Sequence, residues 1–270
     1  VMADIHFDHK VAIEAMRQNI DAIRINPGNI KKREQLIMII MEAKKRNLPI
    51  RLGVNAGSLD STILNKHKNP GVEAMVEEAT HFIELFQELN YHNVIISIKS
   101  SDVRDTIAAN KIIAKKCSYP LHLGITEAGF DQSGTIKSAI GIGILLYEGI
   151  GDTIRVSLSG NPEKEVGVGY DILKSLGLRK RGVNIISCPT CGRCKVDIYR
   201  IGKRIKDELF NINYPVNIAI MGCIVNGPGE AKMADIGLAF NKEKAMLFKK
   251  GRLIGRYQED EAIERIVSEV

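Results

Sequence analysis

The chain reads as an α/β protein: an incomplete β/α barrel of the TIM type, followed by a smaller α/β domain. Three observations predict this. Six short apolar runs alternate with six longer amphipathic ones over residues 1–180. Polar residues recur near the C-terminal ends of the strand-like runs, the end that carries the active site in β/α barrels. After the basic, glycine-flanked connector 177–182 (Gly-Leu-Arg-Lys-Arg-Gly), the pattern changes to strands separated by cysteine-bearing loops.

Taken in order, the runs 1–5, 22–26, 49–54, 94–98, 121–125 and 153–158 are rich in Ile, Val and Leu and predict strands. Apolar residues at helical spacing predict helices over 9–19, 31–46, 71–89, 103–116, 134–148 and 163–176. Such a succession of βα units implies a parallel sheet covered by helices. A closed barrel needs eight strands. Six are read here and the first starts at residue 1, so about two βα units are expected upstream. Beyond the connector the pattern predicts strands at 184–187, 216–221 and 234–239, a hairpin around Lys250-Gly251, and helices over 198–210 and 259–269. The domains are thus expected at 1–181 and 182–270.

Bulk properties narrow the function. Hydrophobic residues make up 44% and charged residues 26% of 270, ordinary values for a globular enzyme. Trp is absent and aromatics are 5%, so the core must be aliphatic. The longest apolar runs, 36–41 and 139–147, are too short to span a bilayer, and no secretory signal is visible. The net charge of +6 suits a phosphorylated metabolite. Lys and Arg are scattered, without a long basic arm, which argues against a nucleic-acid partner. Five cysteines, an odd number, point to reduced thiols in a cytoplasm.

Four of those cysteines cluster late in the chain. Cys188 and Cys191 form Cys-Pro-Thr-Cys, and Cys223 opens Cys-Ile-Val-Asn-Gly-Pro-Gly-Glu, which ends in Glu230. Three thiolates from two loops can hold three irons of a cubane and leave the fourth for a weaker ligand. Zinc is a rival, but structural zinc favours four Cys or His ligands in paired short spacings. No second Cys-x-x-Cys lies on the distant loop, and all six His fall from His6 to His122. Cys194 could still complete a four-thiolate zinc set. A redox dithiol would leave Cys223 unused. Cys117 reads as a buried or half-buried bystander.

The strand ends offer a second constellation. Asp4, His6, Arg24, Asn26, Arg51, Asn55, Lys99, Glu127, Arg155 and Ser157 all fall near or just after predicted strand ends. Several cations at one barrel mouth suggest an anionic ligand, with Arg as a planar fork and Lys as a point charge. Glu127 among them is a candidate proton donor or base. Asp4 and His6 read better as a hydrogen-bonded, barrel-lining pair.

The motifs together resemble the 4-hydroxy-3-methylbut-2-enyl diphosphate synthases, bacterial iron–sulfur enzymes of isoprenoid synthesis by the methylerythritol phosphate route. The carriers run through the chain: Ala-Asp-Ile-His-Phe from 3, Ile-Arg-Ile-Asn-Pro-Gly-Asn from 23, and Arg-Leu-Gly-Val-Asn-Ala-Gly-Ser-Leu from 51. Further on stand Ile-Lys-Ser-Ser-Asp-Val from 98, Pro-Leu-His-Leu-Gly-Ile-Thr-Glu-Ala-Gly from 120, and Gly-Ile-Gly-Asp-Thr-Ile-Arg-Val-Ser-Leu from 149. The last are Cys-Pro-Thr-Cys-Gly-Arg from 188 and Met-Gly-Cys-Ile-Val-Asn-Gly-Pro-Gly-Glu from 221. The resemblance implies a barrel joined to a smaller reductase-like domain with a [4Fe–4S] cluster. Cys188, Cys191 and Cys223 would be its thiolate ligands, with Glu230 the displaceable fourth. Arg24, Arg51, Asn55, Lys99 and Ser157 would hold the diphosphate of 2-C-methyl-D-erythritol 2,4-cyclodiphosphate. Glu127 would handle the substrate hydroxyl. A flavodoxin or ferredoxin would supply electrons, and the chain would work as a head-to-tail homodimer. Cys194 stands outside that ligand set, and a further barrel segment with another phosphate-binding Arg is expected upstream.

Overall fold

A computed structural model describes residues 1–30, 32–242 and 244–270. The chain divides into two compact units, Val1–Leu178 and Arg179–Val270.

In the first unit every strand is followed by helix: β1 (Met2–Ile5), α1 (His9–Arg17), β2 (Ala22–Ile25), α2 (Arg33–Arg46), β3 (Ile50–Asn55), α3 (Ser61–His67), α4 (Val72–Glu88), β4 (Val94–Lys99), α5 (Val103–Lys116), β5 (His122–Leu123), α6 (Asp131–Tyr147), β6 (Thr153–Ile154) and α7 (Pro162–Ser175). Strands β1 to β4 pair in sequence order and β5 pairs with β6, all in parallel. A parallel bridge between Ile96 and Leu121 joins the two sets. Sequential parallel order with a helix after each strand is the barrel topology, and the expected fold class is borne out. The expected helix over 31–46 begins at Lys31, which lies outside the described residues.

Side chains alternate across each strand. In β3, Ile50, Leu52 and Val54 are buried in the apolar core, while Arg51 and Asn55 are half-buried on the other face. In β4, Val94, Ile96 and Ile98 alternate with Ile95, Ser97 and Lys99. One face therefore packs on the helices and the other lines the barrel interior with polar groups.

Helix starts follow capping chemistry. The side chains of Asp8, Asp60, Asp102 and Asn161 each accept a backbone N–H at the start of α1, α3, α5 and α7. Helix α3, of 7 residues, is too short to show periodicity in sequence. Asp60 caps it, and Glu77 of α4 accepts from Lys66 and contacts His67 Nε2 at 2.7 Å. Strands β5 and β6 are two residues each, shorter than their apolar runs.

The second unit holds β7 (Val183–Ser187), α8 (Ile198–Glu208), β8 (Val216–Met221), α9 (Gly227–Met233), β9 (Ile236–Phe240), β10 (Ala245–Lys249), β11 (Arg252–Tyr257) and α10 (Glu259–Glu269). Its sheet has the order β11-β10-β9-β8-β7, parallel from β7 to β9 and antiparallel through the β10–β11 hairpin. Ile201 and Ile205 of α8 and Ala262, Ile263 and Ile266 of α10 share a core with Ile218, Ile220, Leu238 and Leu247. A smaller cluster holds Ala231 of α9 against Ala219, Met221, Ala239 and Phe248. Helix α9 replaces part of the expected loop. Pro228 fits its first turn, where no N–H is needed, and Glu230 there complements the helix dipole. Among the described residues, no helix is long and apolar enough to cross a membrane.

Candidate active site

Parallel register sets the interior polar residues side by side in two rows, with Lys99 and Asn55 beyond the row of Asp4, Arg24 and Arg51. Asp4 lies beside Arg24, and Arg24 beside Arg51, across β1, β2 and β3. Asn55 lies beside Lys99 across β3 and β4. Arg24 Nη1 donates to Asp4 Oδ1 at 2.9 Å. Its guanidinium lies across Gly53, where any Cβ would stand 2.7 Å from Nε. His6 Nε2 lies 3.4 Å from Asp4 Oδ1, so the expected pair is joined by an arginine.

Arg51 Nη1 lies 3.2 Å from His122 Nε2, and His122 Nδ1 lies 2.8 Å from Thr153 Oγ1. Arginine only donates, so Nε2 accepts and Nδ1 carries the proton toward Thr153. His122 is only 5% exposed. Burial, then Lys99, Arg51, Arg155 and Arg24, push it down to about 3, so it is neutral at pH 7. Lys99 is 8% exposed. Burial, then Arg155, Arg51 and Arg24, bring its amine down to about 7. Arg51 is lowered by burial and by Arg24 and Arg155, against which Asp4 acts. Four cations thus feel one another around one carboxylate. Lys99 is buried, Arg24 and Arg51 are half-buried and Arg155 is exposed, and their excess positive charge is what an anion would relieve.

A cleft of about 770 Å³ opens among the loops that follow the strands. His6, Asn26, Asn55, Ser58, Ser100, Asp102 and Glu127 help line it. Asn26 is buried, donates to Ser58 Oγ at 2.7 Å and accepts from Gly28 N at 3.1 Å. This ties the β2 loop to the β3 loop. The loops approach so closely that a Cβ on Gly28 would stand 1.8 Å from the Ser58 carbonyl oxygen. Beneath them Glu78 of α4, 1% exposed, accepts from Asp60 N at 2.8 Å through Oε2. Its Oε1 has no hydrogen-bond partner among the described residues. Burial, with a smaller effect of Asp60, raises the carboxyl to about 7, although the Asp60 N–H opposes this.

Glu127 is exposed at the rim of the cleft, with φ 51° in the left-handed region. A non-glycine residue rarely holds that conformation, and it concentrates at ligand sites. Of the expected ligand-binding residues, Arg24, Arg51 and Lys99 meet in the charged layer, while Asn55 and Glu127 reach the cleft. Ser157 is half-buried past β6 and is not among the residues lining the cleft. Sequence reasoning passed over His122 and left Arg155 unselected at its strand end. The alternation His122–Gly124 against Leu123–Ile125 could have marked His122 as inward-facing.

In the second unit, pairing of β7 with β8 brings the two cysteine loops to one sheet end. Gly222 N donates to Cys188 Sγ at 3.2 Å. Cys194 Sγ donates to the Val196 carbonyl at 3.2 Å and stands where a Gly222 Cβ would be, 2.2 Å from it. Cys191 is exposed, and its thiol is lowered chiefly by the Arg193 backbone N–H. Cys223 is half-buried and Glu230 exposed, the latter's N–H bonded to the Asn226 carbonyl at 3.2 Å. Among the described residues, no three His, Cys, Asp or Glu side chains are gathered tightly enough to hold a metal ion.

Residues 1–170 match the GcpE TIM-barrel domain and residues 184–270 the GcpE protein C-terminal domain. The whole chain is 49% identical to a Clostridium acetobutylicum protein, covering 77% of it. It is 51% identical to one from Caldanaerobacter subterraneus subsp. tengcongensis, covering 76%, and 50% identical to one from Persephonella marina, covering 77%. All three are named 4-hydroxy-3-methylbut-2-en-1-yl diphosphate synthase (flavodoxin). The resemblance carried by the motifs is borne out, and the chain belongs to the GcpE family.

Proposed function

We propose that this chain forms 4-hydroxy-3-methylbut-2-enyl diphosphate from 2-C-methyl-D-erythritol 2,4-cyclodiphosphate, by two-electron ring opening with loss of water. The observation that carries the reading is the charged layer at the barrel strand ends. Arg24, Arg51 and Lys99, with Arg155, would take the cyclic diphosphate through charge-assisted hydrogen bonds. Asn55 would bind it from the cleft, and Ser157 from the segment that follows β6. Neutral His122 would hold Arg51 in place without adding charge. Glu127 would donate the proton that lets the hydroxyl leave as water.

The second unit, taken as 182–270, would hold a [4Fe–4S] cluster through Cys188, Cys191 and Cys223, with Glu230 as the exchangeable fourth ligand. The donor set fits such a group. Three thiols stand on two loops at one sheet end, one accepts a backbone amide, and another is shifted toward thiolate. When bound, the cluster supplies single electrons and a Lewis-acidic iron. The electron donor would be a flavodoxin, as in the relatives' name, and the working form a homodimer in the cytoplasm.

Anaerobically purified protein should contain iron and acid-labile sulfide, and should convert the cyclodiphosphate when dithionite is supplied. Stoichiometric zinc without sulfide, or no conversion by cluster-loaded protein, would refute the reading.

A further inference from the structure

A second cleft, of about 530 Å³, lies in the second unit beside the proposed cluster loop. Its lining includes Cys223, the cations Arg193, Lys195 and Lys242, and the apolar Ile224 and Val225. All three cations are exposed. Ile224 and Val225 are 54% and 63% exposed, immediately after Cys223 in the chain. Among the described residues, no carboxylate lines this cleft.

The combination selects for one kind of partner. Three cations without a carboxylate favour an anionic surface and steer it in from a distance. Two solvent-exposed aliphatic side chains add nothing to the binding of a small anion, but they suit the apolar centre of a protein interface with a polar rim. The position next to a thiol proposed to hold the cluster suits electron transfer, which weakens steeply with separation. Electron-transfer encounters are small and weak, so a few charges can dominate them.

We propose that the Arg193–Lys195–Lys242 rim with Ile224 and Val225 is the docking surface for an acidic one-electron carrier protein, whose redox centre is thereby placed against the Cys223 loop. This rests on the functional reading above and adds where the carrier binds. Each encounter would deliver one electron from the reduced carrier, so two encounters would serve one two-electron turnover.

The test uses cluster-loaded enzyme and a reduced flavodoxin. In Lys195→Glu/Lys242→Glu, the KM for flavodoxin should rise at least tenfold, and direct binding of oxidised flavodoxin should weaken by a similar factor. Turnover driven by dithionite with methyl viologen should stay within twofold, because those small donors need no docking. Lys195→Arg/Lys242→Arg should behave as the unmodified enzyme, and raised salt should weaken flavodoxin binding to it far more than to the Glu pair. An unchanged KM and affinity in the Glu pair would overturn the proposal. So would an equal fall with both donors in protein of unchanged iron and sulfide content, which would assign the cations to substrate binding. If unmodified enzyme turned over with neither donor, the functional reading would fall, and the binding measurement would still decide the surface.

Discussion

Arg51 on β3 donates to the imidazole of His122 on β5, 3.2 Å away, and His122 stays neutral to do it. A protonated imidazole could not accept, and it would add a charge beside Lys99, Arg51, Arg155 and Arg24. The expected pH response follows. A folded-state value of about 3, below the ordinary 6.5, makes His122 a source of stability above pH 6.5 that is lost as pH falls toward 3. His122→Asn should flatten that acid limb and, by loosening Arg51, weaken pyrophosphate binding about tenfold. Urea midpoints from pH 4 to 7 and pyrophosphate titration check both. An unchanged acid limb would remove His122 from this role.

Lys99 should trade stability for binding. Its amine, brought down to about 7, costs the folded state most below pH 7 and least above pH 10.5. Stability therefore rises with pH across that window. Lys99→Met should raise stability at pH 7 by on the order of 3 kcal/mol, while abolishing turnover. Pyrophosphate binding to the parent near pH 7.5 should take up a proton, as calorimetry in buffers of different ionisation enthalpy would register. Binding without proton uptake would contradict the shift.

Glu78 runs the opposite way. Its carboxyl is raised from 4.5 to about 7, so its contribution is full below pH 4.5 and is lost as pH climbs through 7. Because it holds Asp60 N beneath the cleft loops, alkaline pH should loosen them. Glu78→Gln should be more stable than the parent at pH 8 by on the order of 3 kcal/mol, and no more stable at pH 4.5. Equal differences at the two pH values would refute this.

Glu127→Gln keeps the side chain's shape and removes the proton. It should leave the iron–sulfur absorption intact and lower kcat by at least about a hundredfold, with little change in KM. Turnover at the parent rate would exclude Glu127 as the acid.

The four late cysteines should separate by cluster retention. Cys223→Ser should lose iron and sulfide on anaerobic purification. Cys194→Ser should keep both, since its Sγ already donates to the Val196 carbonyl and a hydroxyl can do the same. Loss of the cluster from Cys194→Ser would make it a ligand.

Much of this was legible in sequence because it depends on local pattern. Recurrence at the same end of successive apolar runs marked Arg24, Arg51 and Lys99 as residues of one barrel mouth, and their strands run within a residue or so of the expected limits. Cysteine spacing and the Gly-Pro-Gly-Glu run marked the loops of the second unit. What the sequence left open depends on register and burial. Nothing local says that Arg51 meets His122, 71 residues on, or that Glu78 is buried beneath the cleft loops. The short α3 and α9 escaped because one or two turns carry no readable period.

By itself, then, the order of residues determined the βα succession, the donor types and the family, all consequences of short-range chemistry. Only the folded chain decided which cations lie close enough to act on one another, which histidine stays neutral among them, and which carboxyl titrates near pH 7. Those are properties of distance and desolvation, which exist only once remote segments have packed.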